Sequence, residues 1–148
     1  MIVSNISSVT KAIDKKIDKV DTNVMAARDE MMARLIQLAQ NEIQGERGVV
    51  ARKISNHRKI YNYKQDPAIS GQPPKNRTGN LRGSIIGKKA REGFASYSAI
   101  VGPTVIYGRA VELGGAPTWT NGQHFPYMAP ALQKFQREAI AIVRKHLG

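Results

Sequence analysis

The sequence predicts an α+β fold made of a long N-terminal helix, a small antiparallel β-sheet of three or more strands, and a C-terminal helix packed on that sheet. Apolar residues recur at spacings of three and four from Ile2 to Leu38, which is typical of one helix face. Short β-branched segments bounded by turn residues follow residue 80, and a second amphipathic pattern closes the chain. Pro73 and Pro74 divide the helical part from the sheet part, because two prolines cannot continue a helix.

The chain length predicts one domain. A compact fold of 148 residues buries roughly 70% of its unfolded surface, which supports a core without covalent crosslinks. There is no cysteine, so disulfides and thiolate metal ligands are excluded. We expect a helical region over 1–45, a basic loop region over 46–77, and the sheet with its final helix over 78–148. Since we find no long apolar run and no signal-peptide pattern, we expect a soluble protein made in a cytoplasm.

The N-terminal helix is too long for the predicted body. Unbroken to about residue 43 it would measure roughly 60 Å, whereas a domain of this size has a radius of gyration of about 15 Å. Either the helix breaks near 21–23, at Asp-Thr-Asn, or its first half projects and packs on another subunit. We favour the break, with 24–43 packed on the body and the first half mediating contacts. An ordinary two-helix hairpin is also compatible with the pattern.

The net charge of +12 is concentrated in the middle of the chain. Residues 47–91 contain twelve basic side chains and one acidic side chain, a net charge of +11. Such a field suits a polyanion, either nucleic acid or an acidic protein surface, and it also suits a solvated basic loop. Residues 49–60 could form a short basic helix. The candidates for a surface that faces DNA or an acidic partner are Arg52, Lys53, Arg58, Lys59, Lys64, Lys75 and Arg77.

Three strands and a helix are predicted after the turn at 78–80. The strands cover 81–87, 95–102 and 105–113, where β-branched and aromatic residues are frequent. Short connections favour an antiparallel meander. Pro126 and Pro130 introduce the last helix, and its final turn carries Arg144 and Lys145, where the helix dipole favours cations.

Catalytic and metal-binding patterns are weak. His57, His124 and His146 do not have the spacing of metal ligands, so we predict no metal, no cofactor and no enzyme activity. Glu112 lies inside an apolar segment and needs a partner if it is buried. Arg82 or Arg109 could supply that partner, and a structural ion pair is a better interpretation than a general acid.

Three short motifs follow one another in the second half. They are Pro-Pro-x-x-x-Thr-Gly-x-Leu-x-x-Ser-Ile at 73–85, Tyr-x-x-x-Val-Glu-x-Gly at 107–114, and Pro-Tyr-Met-x-Pro-Ala-Leu at 126–132. In this order they resemble the neck or tail-completion family of long-tailed bacteriophages, also described as head–tail joining or minor tail proteins. The resemblance covers about 73–148, and the upstream helix agrees in kind only. The basic stretch 46–72 and the extended N-terminal helix depart from the family pattern.

The resemblance implies a non-enzymatic α+β virion subunit, assembled in the host cytoplasm. It implies a ring, sixfold to match a tail tube, between the head connector or stopper and the tail-tube or tail-terminator protein. Double-stranded genome DNA would pass through its lumen, and no membrane is involved. Carried over by position, Thr78, Gly79, Leu81 and Ser84 would start the first strand. Tyr107, Glu112 and Gly114 would form a strand and turn near a subunit contact. The residues that would anchor the last helix on the sheet are Pro126, Met128, Pro130 and Leu132.

The basic middle also supports a different function. A free protein that binds nucleic acid without sequence specificity would carry the same charge without a sequence-reading motif. A hydrolytic enzyme is a third hypothesis, but no pair of nucleophile and base can be nominated for it.

Overall fold

The computed structural model describes residues 2–43, 49–53, 59–62, 69–76, 78–90, 97–115 and 122–148, with the backbone alone over 2–7, 49–53 and 59–62. These residues form an α+β structure. The helices are α1 (Ile2–Glu42), α2 (Asn80–Ser84), α3 (Gly108–Leu113) and α4 (Met128–Leu147). The strands are β1 (Val49–Lys53), β2 (Lys59–Asn62), β3 (Ile85–Lys89) and β4 (Ala99–Pro103).

Helix α1 is continuous over 41 residues, so the break favoured near 21–23 was wrong. Asp21, Thr22 and Asn23 have lower helix propensity than alanine, but each costs at most about 0.7 kcal/mol, and neither glycine nor proline is present. The Thr22 hydroxyl donates to the backbone oxygen of Asp18 at 2.8 Å, one turn earlier. The Thr22 hydroxyl, which could have competed with the helical backbone for hydrogen bonds, is therefore hydrogen-bonded within the helix.

The core lies where the C-terminal half of α1 meets α4 and the start of β3. Helix α4 runs antiparallel to α1 and packs against it, rather than on a sheet as predicted. One cluster of fully or nearly buried side chains joins these elements, consisting of Leu38, Ala39, Ile43, Ile85, Tyr127 and Ala131. The C-terminal half of α1 and helix α4 thus bury their apolar faces mainly against each other.

The basic segment 49–60 contains strands where a short helix was expected. β1 and β2 pair antiparallel, with Val50 opposite Tyr61 and Lys53 opposite Lys59, and the register shifts once between Val50 and Arg52. β-Branched and aromatic residues favour this conformation over a helix.

The second sheet is the antiparallel pair β3–β4, in which Ile85 lies opposite Pro103 and Lys89 opposite Ala99. The expected sheet of three or more strands is not formed by the described residues, which make two separate two-stranded sheets. The pair lies against α1 at Gly87, where an added Cβ would approach the Met32 side chain to 2.5 Å. The first predicted strand begins four residues late, because 80–84 form the short helix α2 instead.

The third predicted strand, 105–113, is wrong. Residues 108–113 form α3, in which Gly108 is buried and Val111 packs against the core. Three valines or isoleucines and one tyrosine within nine residues favoured a strand locally. The helix forms because tertiary packing at Gly108 and Val111, three residues apart, overrides that local preference.

Candidate functional site

The N-terminus of helix α4 lies against the side chain of Glu112, which belongs to α3. The carboxylate accepts three backbone N–H groups, from Tyr127 at 2.7 Å, Met128 at 3.0 Å and Ala129 at 2.9 Å. The first N–H groups of a helix have no partner within the helix, and the helix dipole favours a negative charge beside them. Glu112 therefore caps α4, and the expected pairing with Arg82 or Arg109 is not what satisfies it.

Tyr127, at the start of α4, also connects this helix to α3. Its side chain is fully buried, and its hydroxyl donates to the backbone oxygen of Gly108 at 3.1 Å. Burial, followed by the nearby charge of Glu112, raises the pKa of Tyr127 well above its ordinary value of 10. The phenol is therefore held as a neutral hydrogen-bond donor.

Two glycines make this contact possible. An added Cβ on Gly108 would lie 2.5 Å from the Pro103 ring, and no real Cβ contact is that short. Gly114 has a φ of 73°, ends α3 in the left-handed conformation, and donates to the backbone oxygen of Ala110 at 2.7 Å. Phe125 then donates to the backbone oxygen of Val111 at 2.7 Å, which returns the chain to α3.

The second and third sequence motifs therefore form one structural unit. Tyr107, Glu112 and Gly114 were expected in a strand and turn, but they lie at the start, inside and just after a helix. In the third motif Met128 packs on the core, whereas Leu132 is 45% exposed. The prediction missed Tyr127 and Ala131, two of the buried residues that anchor α4. A tyrosine directly after Pro126 and before an apolar helix face was the available signal.

The first motif builds a turn rather than the start of a strand. Gly79 has a φ of 80°, and its backbone oxygen accepts the N–H of Gly83 at 2.8 Å. The Thr78 hydroxyl accepts the N–H of Asn80 at 3.3 Å. Ser84 is buried, and its hydroxyl donates to the backbone oxygen of Leu81 at 2.7 Å. These local bonds close α2 immediately before β3 begins.

An open cleft of ≈ 470 Å³ borders the junction between α3 and α4. Arg109, Glu112 and Tyr127 contribute to its lining. The oxygens of Glu112 are engaged by the N-terminus of α4, and the Tyr127 hydroxyl is engaged by Gly108. Glu112 and Tyr127 thus hold the fold together, which supports a structural role for these two residues.

Ion pairs connect the C-terminal half of α1 to α4. Arg34 donates to Glu138, with one of its bonds at 2.9 Å, and Lys134 pairs with Glu42. Lys145 and His146 both contact Glu30, at 2.8 and 2.7 Å. Hydrogen bonds from Lys145 and then His146 lower the pKa of Glu30, and the Arg34 hydrogen bond lowers that of Glu138.

The N-terminal half of α1 extends beyond the end of α4. The last turn of α4 lies beside Glu30, and residues 8–20 of α1 are all exposed. This projecting half carries an apolar stripe, defined here as Val9, Ile13, Ile17 and Val20, whose members are 56, 51, 53 and 55% exposed. The same face is buried further along at Ala27. One continuous apolar face is therefore covered at one end and uncovered at the other.

The predicted basic surface is described only in part. Lys75 is half-buried, and the backbones of Arg52, Lys53 and Lys59 lie in β1 and β2. Arg58, Lys64 and Arg77 lie outside the described residues. The strand register places Lys53 directly opposite Lys59.

Of the three histidines, His124 is exposed and His146 contacts Glu30, whereas His57 lies outside the described residues. Within the described ranges, no group of three or more acidic or histidine side chains could hold a metal ion. Within the same ranges, no helix has both the length and the apolar character needed to cross a bilayer.

No protein-family model, curated protein or solved structure matches this chain. The likeness to the phage neck or tail-completion family is therefore a resemblance in the order of three motifs.

Proposed function

We propose that this chain is a structural subunit of the junction between the head and the tail of a long-tailed phage. It forms a homo-oligomeric ring, sixfold like a tail tube. The ring joins the connector or stopper to the tail-tube or tail-terminator protein and surrounds the passing genome DNA. The subunit holds its neighbours and carries out no reaction.

The projecting half of α1 carries the proposal. A continuous helix of 41 residues is about 60 Å long, and its apolar stripe has no cover in the described part of the chain. Exposed apolar surface of this kind marks protein–protein contacts. A small body with one long arm fits a subunit whose stability and position depend on its neighbours.

The arrangement of the motifs supports the same function. The second and third motifs contact each other through Glu112 and Tyr127 and form one packed unit. Their order along the chain fits this packing. A unit that anchors α4 to α3 gives the subunit a rigid body from which an arm can reach a neighbour.

The charge distribution supports a DNA-lined channel. Residues 47–91 hold a net charge of +11, and backbone phosphates attract such a segment without base readout. In a closed ring each interface joins two different patches, so the arm and the basic segment can serve different neighbours.

Native mass spectrometry tests the proposal directly. The purified chain is measured alone and mixed with the tail-tube and connector proteins of the phage that encodes it. We expect a closed ring of defined copy number, or a defined complex with one of these proteins. A strict monomer in every mixture at high concentration would contradict the proposal.

The +11 segment also favours a second candidate, a free protein that binds nucleic acid without sequence specificity. Filter binding to double-stranded DNA at about 50 mM and about 200 mM salt separates the two. Tight binding by the isolated chain that falls by about 10³-fold or more between these concentrations favours the second candidate. Weak binding by the isolated chain, together with ring assembly, favours the junction subunit.

A further inference from the structure

We propose that the projecting half of α1 associates with the same segment of other copies of this chain, parallel and in register. The bundle contains more than two helices, and Lys16 of each copy lies beside Asp21 of the next. The proposal rests on the homo-oligomer of the proposed function and describes the oligomer that the chain forms by itself, because a packed helix bundle on the axis of a ring would leave no room for DNA. It adds the surface that joins the copies, their relative direction and a minimum number of helices.

The apolar stripe of α1 is uncovered. Helices in proteins gain most of their stability from packing an amphipathic face, and isolated helical segments are marginal in water. Over residues 8–20 nothing in the described part of the chain packs on that face. Four β-branched side chains that remain more than half exposed therefore call for a partner with an equally apolar surface.

The charges beside the stripe select a second copy of the chain as the partner. With about 100° between successive helical residues, Lys16 lies on one side of the stripe, and Asp14 and Asp21 lie on the other. A helix with one basic flank and one acidic flank is complementary to itself. A single uniform charge along both flanks would have required a different partner.

The spacing of these charges sets the relative direction of the helices. In parallel helices with a heptad seam, the residue before one core position faces the residue five places later in the neighbour. Lys16 and Asp21 are five residues apart, so parallel copies in register bring them together. Antiparallel copies would instead bring like flanks together, lysine beside lysine and aspartate beside aspartate. Charge therefore favours the parallel arrangement.

The residue types at the core positions set the minimum number of helices. With Ile17 and Val20 as the two core positions of one heptad, seven core positions fall between residues 3 and 24. Six of them are β-branched and apolar, and the seventh is Thr10. The six are Val3, Ile6, Ile13, Ile17, Val20 and Val24. β-Branched residues at both types of core position favour three or more strands over two.

Single cysteines test the direction cleanly, because the chain has no cysteine of its own. Full-length Ile13→Cys and Val20→Cys, each alone, are expected to form covalent dimers on mild oxidation. In a parallel bundle each of these positions faces its own copy, and disulfides form only at short Cβ separations. Lys15→Cys, on the opposite exposed face, is the control and is expected to stay uncrosslinked. If only one of the two stripe cysteines crosslinks, or if all three do equally, the parallel register is overturned.

Charge reversal tests the pairing without touching the stripe. Sedimentation equilibrium is expected to give roughly fivefold weaker association for Lys16→Asp and for Asp21→Lys. The double variant K16D/D21K is expected to recover the native association. Failure of the double variant to recover overturns the Lys16–Asp21 pairing.

The stripe itself is tested by Ile13→Lys with Ile17→Lys in the same chain. We expect association to be lost while the thermal unfolding of the body remains, since the body lies around residues 27–43 and α4. An oligomer of unchanged order in this variant overturns the inference and leaves the proposed ring intact. A native chain that is monomeric alone but joins a ring with the connector or tail-tube protein also overturns the inference alone.

Discussion

Glu112 and Tyr127 are separated by 15 residues in the chain, yet the carboxylate of the first accepts the backbone N–H of the second at 2.7 Å. The bond joins a six-residue helix to the first turn of the 20-residue C-terminal helix. Because α4 packs against α1, the cap also sets how the body holds the helix that projects from it.

Removing this cap is expected to destabilise the body. Glu112→Ala leaves three N–H groups of α4 without the carboxylate, at a cost of about 2 kcal/mol in the free energy of unfolding. Glu112→Gln retains an acceptor oxygen without the charge, and we expect about 1 kcal/mol. Urea unfolding measures both. Gln133→Ala, at an exposed position of α4, is the control; an equal loss there would contradict the cap.

Tyr127→Phe is expected to cost about 1 kcal/mol, because it removes the hydrogen bond to Gly108 and preserves the buried ring. The substitution should also make the free energy of unfolding less sensitive to high pH. The pKa of Tyr127 is raised in the folded state, so its stabilisation is full below the ordinary value of 10 and is lost as the pH rises above it. Between about pH 8 and about pH 11, the free energy of unfolding should fall less for Tyr127→Phe than for the native chain. An identical loss would contradict the prediction.

Gly108→Ala is expected to cost about 2 kcal/mol or more. Its Cβ would lie 2.5 Å from the Pro103 ring, which cannot rotate away. Gly83→Ala is the matched control, since nothing lies within 4 Å of the Cβ it would add. Thermal unfolding of both variants tests the contact. A neutral Gly108→Ala would contradict the close approach of α3 and β4.

Acid should weaken the contact between α1 and α4. The pKa of Glu30 and that of Glu138 lie below the ordinary value of 4.5, because Lys145 and Arg34 hold the ionised forms. The stabilisation is therefore full above 4.5 and is lost as the pH falls through the lowered pKa values. Between about pH 7 and about pH 3, the melting temperature of the variant E30Q/E138Q should fall less than that of the native chain. Asp18→Asn, on the exposed projecting half, should behave like the native chain.

Much of the fold could be predicted from local pattern. The apolar spacing from Ile2 onward predicted α1, and the one from Leu132 to Val143 predicted α4 almost to its ends. The pair β3–β4 was predicted in kind, with each strand displaced by a few residues. The importance of Glu112 was also predicted, because a charge in an apolar segment must have a partner.

The rest depended on contacts between distant residues. Residues 105–113 have the composition of a strand, but Gly108 against Pro103 and Val111 against the core make a helix of 108–113. The partner of Glu112 was predicted as an arginine, since backbone N–H groups carry no sequence signal. The basic residues offered as a partner surface lie largely outside the described side chains, and that surface stays a prediction.

By itself the sequence determined that the chain has two amphipathic helices around a short sheet region, and that most of its excess charge lies between 47 and 91. Periodicity and charge are properties of neighbouring residues, so they can be read without a fold. Only the tertiary structure decided that α4 covers α1 from about residue 27 onward and leaves Val9 to Val20 uncovered. An apolar stripe looks the same in sequence along its whole length, and which part of it is buried depends on where the second helix ends.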